Sequence, residues 1–156
     1  MMRKTIALFI ATTFYSGYFP IAPGTVGSFV AVLILWFLPT LSWLTLSIIS
    51  ITGFLIGVWA ANIAEESWGH DPGRVNWDEV IGMFITIIVL PKHWVIYGCG
   101  FFIFRFFDII KPFPVNKMEK LPGGLGIMSD DVMAGIYANI VTQIIFRFVV
   151  KLPVTF

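Results

Sequence analysis

The sequence predicts an all-α fold, a multi-pass membrane bundle of about six helices, some of them short or re-entrant. Of its 156 residues, 58% are apolar and only 12% are charged, about half the charged fraction of a typical globular domain. Gly and Pro divide the chain into apolar segments near residues 5–15, 26–38, 42–66, 78–90, 93–110 and 129–149. Residues 1–156 have room for one compact unit, so we expect a single domain.

The six segments differ in their capacity to cross a bilayer, which takes about 20 apolar residues. The third and sixth are long enough, and the fifth nearly so, whereas the first, second and fourth need help from neighbouring helices. The Gly- and Pro-rich stretch 17–27 is typical of irregular backbone that is covered by protein at membrane depth. The first segment imitates a signal peptide but lacks a small-x-small cleavage pattern, so we expect it in the mature protein.

Polar residues concentrate in the long joints 16–25, 66–78 and 108–130, whereas the joints near 39–42 and 90–93 are short. Alternating helices place the three long joints on one face, which we predict to be cytoplasmic from its basic residues. That face has Arg74, Lys111, Lys117 and Lys120, and the other has Lys92 and Lys151. The net charge of +1 gives no case for a nucleic-acid partner, and the sequence leaves the oligomeric state open.

Two acidic pairs precede or begin apolar segments on this face. Asp78 and Glu79 open the fourth segment, and Asp130 and Asp131 open the sixth. Helix capping could explain a lone Asp, but adjacent carboxylates repel unless a proton or a cation joins them. Oxygen ligands without cysteine favour Mg²⁺ over Zn²⁺. The pairs therefore predict a magnesium site.

A charged stripe ends the fifth segment. Arg105, Asp108 and Lys111 recur every three residues and so share one side of a helix. A structural ladder of ion pairs would produce the same pattern, but ionisable residues beside membrane segments are usually functional. Lys111 could bind phosphate, and Asp108 could be a further metal ligand.

A glycine-punctuated turn opens the second segment. Backbone N–H groups at Gly24 and Thr25 could cradle a phosphate, with the hydroxyl of Ser28 nearby. A plain helix N-cap is the alternative explanation. Cys99 and Arg105 have the C-x5-R spacing of cysteine phosphatases, but the intervening Phe-Phe-Ile-Phe is typical of an apolar helix instead of a phosphate loop. We therefore exclude that chemistry.

Four ordered blocks resemble the phosphatidylglycerophosphatase A family over roughly residues 16 to 137. They are APGTVGS at 22–28, Asp71 with WDEVIG at 77–82, FRFFDIIKPFP at 104–114, and GGLGIMSDDVMAG at 123–135. The resemblance implies a helical, Mg²⁺-dependent lipid phosphatase of the bacterial inner membrane, surrounded by membrane lipids. Its substrate would be phosphatidylglycerophosphate, and its products phosphatidylglycerol and inorganic phosphate.

These observations lead to one mechanistic hypothesis, metal-assisted phosphoryl transfer by water or through an aspartyl-phosphate. The expected metal ligands are Asp78, Glu79, Asp108, Asp130 and Asp131, and the expected catalytic residues are Asp108, Lys111 and Asp131. Phosphate binding is expected from Gly24, Thr25, Arg105 and Lys111. Asp71 and Ser28 are the expected supporting residues. The sequence leaves open a broader lipid-phosphate phosphatase, a small cation carrier that uses the clustered acids, and a scaffold without turnover.

Overall fold

The computed structural model describes residues 2–70 and 72–149, and within these ranges the chain forms seven α-helices and no strand. The helices are α1 (Met2–Ala11), α2 (Pro23–Phe37), α3 (Trp43–Trp68), α4 (Trp77–Thr86), α5 (Trp94–Ile110), α6 (Val115–Met118) and α7 (Gly124–Ile144). A 3₁₀ turn at Ser16–Tyr18 precedes α2, and a π-helical turn at Ile145–Val149 follows α7. The all-helical prediction is confirmed, with the four-residue α6 added inside the joint 108–130.

Helix α3 is the longest element, with 26 residues and a length of about 39 Å. The hydroxyl of Ser42 caps its start by accepting a hydrogen bond from the Thr45 N–H at 3.1 Å, and Gly69 ends it at a φ of 94°. In the described part of the chain, α3 alone has both the length and the apolar character to cross a membrane. Helix α2 is apolar but shorter, so the multi-pass arrangement stays a prediction.

Helix α1 does not cross the bundle. Arg3 and Lys4 line a surface cavity together with Glu66 and Ser67, which belong to the last turns of α3. Small side chains let α1 pack closely on α3 in a cluster made of Ala7, Ala11, Ala60, Ala61 and Ala64.

After α1, the chain turns back toward the C-terminal end of α3, where α1 begins. Left-handed backbone at Thr13, Phe14 and Tyr15 reverses its direction, and the ring of Tyr18 lies edge-on to the ring of Trp68. Segment one thus enters the bundle and returns to the same end, as a re-entrant segment does. The N-terminal residues Arg3 and Lys4 lie at the end of the bundle where α3 finishes.

Helices α4 and α7 pack closely because glycine faces glycine. A Cβ on Gly135 would lie 2.5 Å from the carbonyl oxygen of Gly82, and one on Gly82 would lie 2.8 Å from that of Asp131. Helix α4 ends after ten residues, and Asn139 of α7 caps that end. Its Nδ2 lies 3.3, 2.9 and 2.7 Å from the carbonyl oxygens of Ile85, Thr86 and Ile88, respectively.

The start of α7 differs from the prediction. The sixth segment was expected to begin at 129, with Asp130 and Asp131 at a helix entrance, but α7 begins at Gly124. Placing the acidic pair at the entrance was therefore wrong, since both residues lie well inside the helix. Glycines disfavour helix in isolation, but Gly124 has no room for a side chain against α3, and its N–H donates to Asn62 Oδ1 at 2.8 Å.

Candidate active site

A cavity of about 430 Å³ opens at the end of the bundle where α4 begins and α5 finishes. Its walls come from the long joints 66–78 and 108–130 and from the first turns of α4 and α7. The acidic residues that line it are Asp78, Glu79, Asp108, Glu119, Asp130 and Asp131, and the lysines are Lys111 and Lys120. Both acidic pairs therefore meet in one pocket, as the sequence predicts.

Three carboxylates form the innermost cluster of this pocket. One oxygen each from Asp78, Glu79 and Asp131 lies within 4.8 Å of the others. Asp78 Oδ1, Glu79 Oε2 and Asp131 Oδ2 are buried and have no hydrogen-bond partner. Buried polar atoms are almost always paired in folded proteins, so a cluster of three carboxylates that each keep an unpaired buried oxygen fits a divalent cation with oxygen ligands.

Helix capping does not explain the first acidic pair. The N-cap of α4 is Asn76, and its side chain makes no capping hydrogen bond. Instead, Asn76 is fully buried and donates through Nδ2 to Ser16 Oγ at 2.9 Å and to the Pro23 carbonyl at 3.1 Å. Asn76 thus joins the re-entrant stretch to the start of α4 and leaves Asp78 and Glu79 to face the pocket.

The environment of this pair opposes ionisation when no cation is bound. Burial raises the pKa of Asp78 from 3.8 to about 6. Burial, and then the charge of Asp78, raise the pKa of Glu79 well above its usual value. A cation at the cluster would reverse both effects, because it stabilises the ionised carboxylates directly.

Two other predicted ligands are bound to basic side chains. Arg105 Nη1 lies 2.6 Å from Asp108 Oδ2 and 3.6 Å from Glu79 Oε1. Lys111 Nζ lies 2.7 Å from Asp130 Oδ2. Asp108 and Asp130 therefore face the same pocket as the cluster, but each already has a cation beside it.

Lys111 does not lie on the same side of α5 as Arg105 and Asp108, although the sequence predicts a stripe of all three. Arg105 and Asp108 share one side of that helix, whereas Lys111 is its C-cap, in left-handed backbone at a φ of 47°. This turn directs the ammonium group into the pocket. Burial lowers the pKa of Lys111, but hydrogen bonds to Asp130 and Glu119 outweigh it and raise the pKa above its usual value. Lys111 is thus a permanent cation suited to binding an anion.

The predicted phosphate turn lies behind Glu79, outside the residues that line the cavity. A Cβ on Gly24 would collide with the Glu79 carboxylate and would lie 3.3 Å from Arg105 Nη1. The Ser28 hydroxyl donates within α2 to the Gly24 carbonyl at 3.0 Å, and Thr25 is half-buried. The structure thus brings this turn to the back of the acidic cluster. Asp71, predicted as a supporting residue, lies outside the described residues.

Comparison with known proteins agrees with this pocket. The family model described as phosphatidylglycerophosphatase A matches residues 9–146. The chain belongs to this family. The predicted resemblance is confirmed, and membership makes the chain a phosphatase. The helical placement of Cys99 and Arg105, both inside α5, agrees with the exclusion of a cysteine phosphatase.

Three curated relatives cover most of the chain. A Bacteroides thetaiotaomicron protein named "Putative phosphatidylinositol-3-phosphatase" is 41% identical over 149 residues, which are 89% of this chain and 92% of the relative. Phosphatidylglycerophosphatase A of Escherichia coli K12 is 40% identical over 130 residues, 81% of this chain and 76% of the relative. The Haemophilus influenzae protein of that name is 40% identical over 138 residues, with 85% and 83% covered. No solved structure matches the chain.

Sequence reasoning missed two residues at this site of the phosphatidylglycerophosphatase A fold. Glu119 lies 2.7 Å from Lys111 Nζ, although nothing in the run Lys117-Met118-Glu119-Lys120 distinguishes it from a solvated turn. Asn76 connects two joints that are distant in sequence. Its position next to the WDE motif was the available signal.

Proposed function

We propose that this protein is a membrane-embedded, Mg²⁺-dependent phosphatase that hydrolyses phosphatidylglycerophosphate to phosphatidylglycerol and inorganic phosphate in the acidic pocket. Family membership supports the lipid phosphatase activity. One observation carries the placement of the reaction: Asp78, Glu79 and Asp131, each with an unpaired buried oxygen, cluster in the cavity that Lys111 also lines.

The charge of the pocket supports a metal requirement. Its six carboxylates, named above, face the cations Lys111 and Lys120 and the adjoining Arg105, which leaves three negative charges in excess when all are ionised. A phosphomonoester that carries up to two negative charges would be repelled by such a pocket. Bound Mg²⁺ would neutralise this charge and lower the pKa of a water molecule. Asp78, Glu79 and Asp131 would hold one or two ions, with Asp108 and Asp130 as further ligands.

The remaining roles belong to side chains of the chain itself. Lys111 holds an oxygen of the transferring phosphoryl group, as a point charge. Arg105 orients Asp108 and Glu79 through its ion pairs. Gly24 packs against the Glu79 carboxylate from behind, and Ser28 donates to the Gly24 carbonyl in the first turn of α2. Direct phosphate binding by Gly24, Thr25 and Arg105 stays a prediction.

The covalent step has two candidate routes, and the first uses Asp131 as a general base. Asp131 accepts a proton from an attacking water as the new O–P bond forms and the bond from phosphorus to the glycerol oxygen breaks, and the proton passes on to the departing alkoxide. In the second route one of the clustered carboxylates attacks phosphorus as the bond to the glycerol oxygen breaks, and the departing alkoxide takes a proton from water; the resulting hydroxide hydrolyses the aspartyl-phosphate and restores the carboxylate. Trapping a phospho-enzyme, or a burst of alcohol release before phosphate, would distinguish the second route.

We place the bundle in the bacterial inner membrane, with several helices crossing and the pocket facing the cytoplasm. Large apolar side chains project outward from α2, α3, α5 and α7, among them Phe29, Phe37, Ile51, Leu55, Phe102 and Ile140. Apolar side chains exposed on four helices must be covered by some other apolar material, and membrane lipid can surround the bundle on all of these faces. Arg3 and Lys4 join the basic residues of the pocket end, which strengthens the cytoplasmic assignment.

The second candidate function is a phosphatase that acts on a broader range of lipid phosphates. Nothing in the acidic cluster or in Lys111 depends on the alcohol that carries the phosphate. One relative with 41% identity is named for a phosphoinositide substrate. A lipid phosphatase that also accepts phosphatidylinositol phosphate is therefore the alternative to a phosphatidylglycerophosphate-specific enzyme. The acids lie in one pocket at one end of the bundle, which does not favour a cation carrier.

The deciding experiment measures phosphate release by purified protein in detergent micelles. Phosphatidylglycerophosphate, phosphatidate and phosphatidylinositol 3-phosphate are compared with Mg²⁺ and with EDTA. We expect Mg²⁺-dependent release that is fastest with phosphatidylglycerophosphate and is reduced at least about 100-fold in Asp131→Asn and Glu79→Gln. Glu66→Gln, an exposed acid outside the pocket, is the control. Full activity of both site variants with normal Mg²⁺ dependence would refute the site.

A further inference from the structure

Two carboxylates of different character hold the ammonium group of Lys111. Nζ lies 2.7 Å from Asp130 Oδ2 and 2.7 Å from Glu119 Oε1. The side chain of Asp130 is 8% exposed, whereas that of Glu119 is 44% exposed. Both carboxylates and the lysine line the same cavity. The ammonium group therefore has one buried and one exposed partner at the wall of the pocket.

The backbones that carry the two acids differ as well. Asp130 lies inside the 21-residue α7, and its Oδ1 accepts a hydrogen bond from the Asp131 N–H at 3.0 Å. Glu119 follows the four-residue α6, and its N–H donates to the carbonyl oxygens of Lys117 and Val115, the latter at 3.3 Å. Asp130 is thus held in place by its helix, whereas the Glu119 side chain is exposed enough to rotate into solvent while its backbone stays packed against Gly126 of α7.

We propose that Glu119 occupies, in the substrate-free protein, the place beside Lys111 that an oxygen of the substrate phosphate takes, and that it sets phosphate affinity by competing for the ammonium group. This inference rests on the proposed function, which makes Lys111 a phosphate ligand. Asp130 keeps the ammonium group in position throughout, and Glu119 swings into solvent when the anion enters.

Electrostatics decide which anion Lys111 prefers. An ion pair with a side chain exposed to this degree is weak, because water screens it and ordering the long side chain has an entropic cost. A phosphomonoester brings more charge and more acceptor oxygens to the same ammonium group. A carboxylate and a phosphate a few ångströms apart repel each other, so binding of the phosphate group displaces Glu119.

The test uses Glu119→Gln, which keeps the size of the side chain and removes its charge. Binding of inorganic phosphate is measured by equilibrium dialysis of the full-length protein in Mg²⁺, together with inhibition of turnover by phosphate. We expect Glu119→Gln to bind phosphate about five- to tenfold more tightly and to lower the KM. Glu66→Gln removes an exposed negative charge at the same end of the bundle, but outside the cavity, and is expected to change neither value.

The Lys111→Gln background isolates the contact. If Glu119 competes for Lys111, the gain in phosphate affinity from Glu119→Gln disappears once Lys111 is replaced, as a double-mutant cycle requires for coupled residues. Unchanged or weaker phosphate binding by Glu119→Gln would overturn the proposal, because it would show that Glu119 only supports the lysine. A Glu119→Gln protein that does not fold would overturn it too, since the contact would then be structural.

This experiment also separates the inference from the proposed function. Phosphate binding is measured without turnover, so the Glu119→Gln comparison keeps its meaning even if the wild-type protein releases no phosphate from phosphatidylglycerophosphate. Conversely, a Mg²⁺-dependent phosphatase in which Glu119→Gln leaves phosphate binding unaltered would retain the proposed function and lose only the competing role of Glu119.

Discussion

Replacing Asp78 with Asn probes the conflict between stability and metal binding in the acidic cluster. Burial raises the pKa of Asp78 to about 6 in the folded protein, against 3.8 for an unperturbed Asp. When the folded state has the higher carboxyl pKa, stability is unaffected at low pH, where both states are protonated, and falls as pH rises from about 4 to 6. Above that range the metal-free protein carries the full penalty, which Asp78→Asn removes.

The size of the penalty follows from the two pKa values. The difference between 3.8 and about 6 corresponds to about 3 kcal/mol, at 1.36 kcal/mol per pH unit. Asp78 is half-buried and faces the pocket, so screening by pocket water reduces this to about 2 kcal/mol. For a chain of this length, Asp78→Asn should raise the Tm of the metal-free protein by about 4 to 8 °C near neutral pH.

Thermal unfolding of the detergent-solubilised protein, followed by circular dichroism in EDTA at about pH 7.5 and about pH 4, provides the measurement. We expect Asp78→Asn to melt above the wild type at the higher pH and together with it at the lower pH. Addition of Mg²⁺ should raise the Tm of the wild type and have little effect on the variant, which lacks a ligand. Glu66→Gln, whose carboxylate is exposed, should melt like the wild type throughout.

Two results would refute this reasoning. A variant that melts below the wild type at both pH values would show that Asp78 makes a stabilising contact in the folded state. Equal stabilisation of both proteins by Mg²⁺ would show that the cation does not bind at Asp78. The first result would refute the penalty from burial, the second would remove Asp78 from the proposed ligand set, and both would leave the family assignment intact.

Three further substitutions test separate parts of the structure. Gly24→Ala places a methyl group against the Glu79 carboxylate and should lower phosphate release at least about tenfold, whereas Gly98→Ala, with open space around it, should have no effect. Asn139→Leu removes the side-chain donor to the carbonyl oxygens of Thr86 and Ile88 at the end of α4 and should lower the free energy of unfolding by about 2 to 3 kcal/mol, seen as a lower Tm. Cys99→Ser should keep full activity in the phosphate-release assay, and loss of turnover there would reopen cysteine chemistry.

The segments read from apolar runs correspond closely to α2, α3, α4 and α5, because Pro and Gly mark their boundaries directly in the sequence. The start of α7 could not be predicted in this way. Gly123, Gly124 and Gly126 indicate a loop by intrinsic propensity, and only the contact with α3 makes them helical. The re-entrant course of α1 depends equally on tertiary packing, since its alanines match alanines of α3.

The chemistry of the site was easier to predict than its internal pairing. Carboxylates cost free energy to bury, so two acidic pairs beside apolar segments indicate a shared site from composition alone. Which acid pairs with which base depends on where α5 ends and how Lys111 turns. That geometry places Asp108 beside Arg105 and Asp130 beside Lys111. It leaves Asp78, Glu79 and Asp131 as the carboxylates with unpaired oxygens.

We expect the residues of the two joints that line the cavity, and not the acidic cluster or Lys111, to discriminate between lipid substrates. In the proposed mechanism the acidic cluster and Lys111 bind the phosphate monoester, which phosphatidylglycerophosphate and phosphoinositides share. The residues that can contact the alcohol part belong to the two joints that form the walls, among them His70, Pro72, Gly73, Lys120 and Leu121. Hydroxyl groups of glycerol and of inositol differ in number and position, so a few polar contacts from these residues suffice to separate the substrates. Exchanging the joint 119–123 between this chain and its Bacteroides relative should therefore alter the ratio of the two activities more than it alters dependence on Mg²⁺.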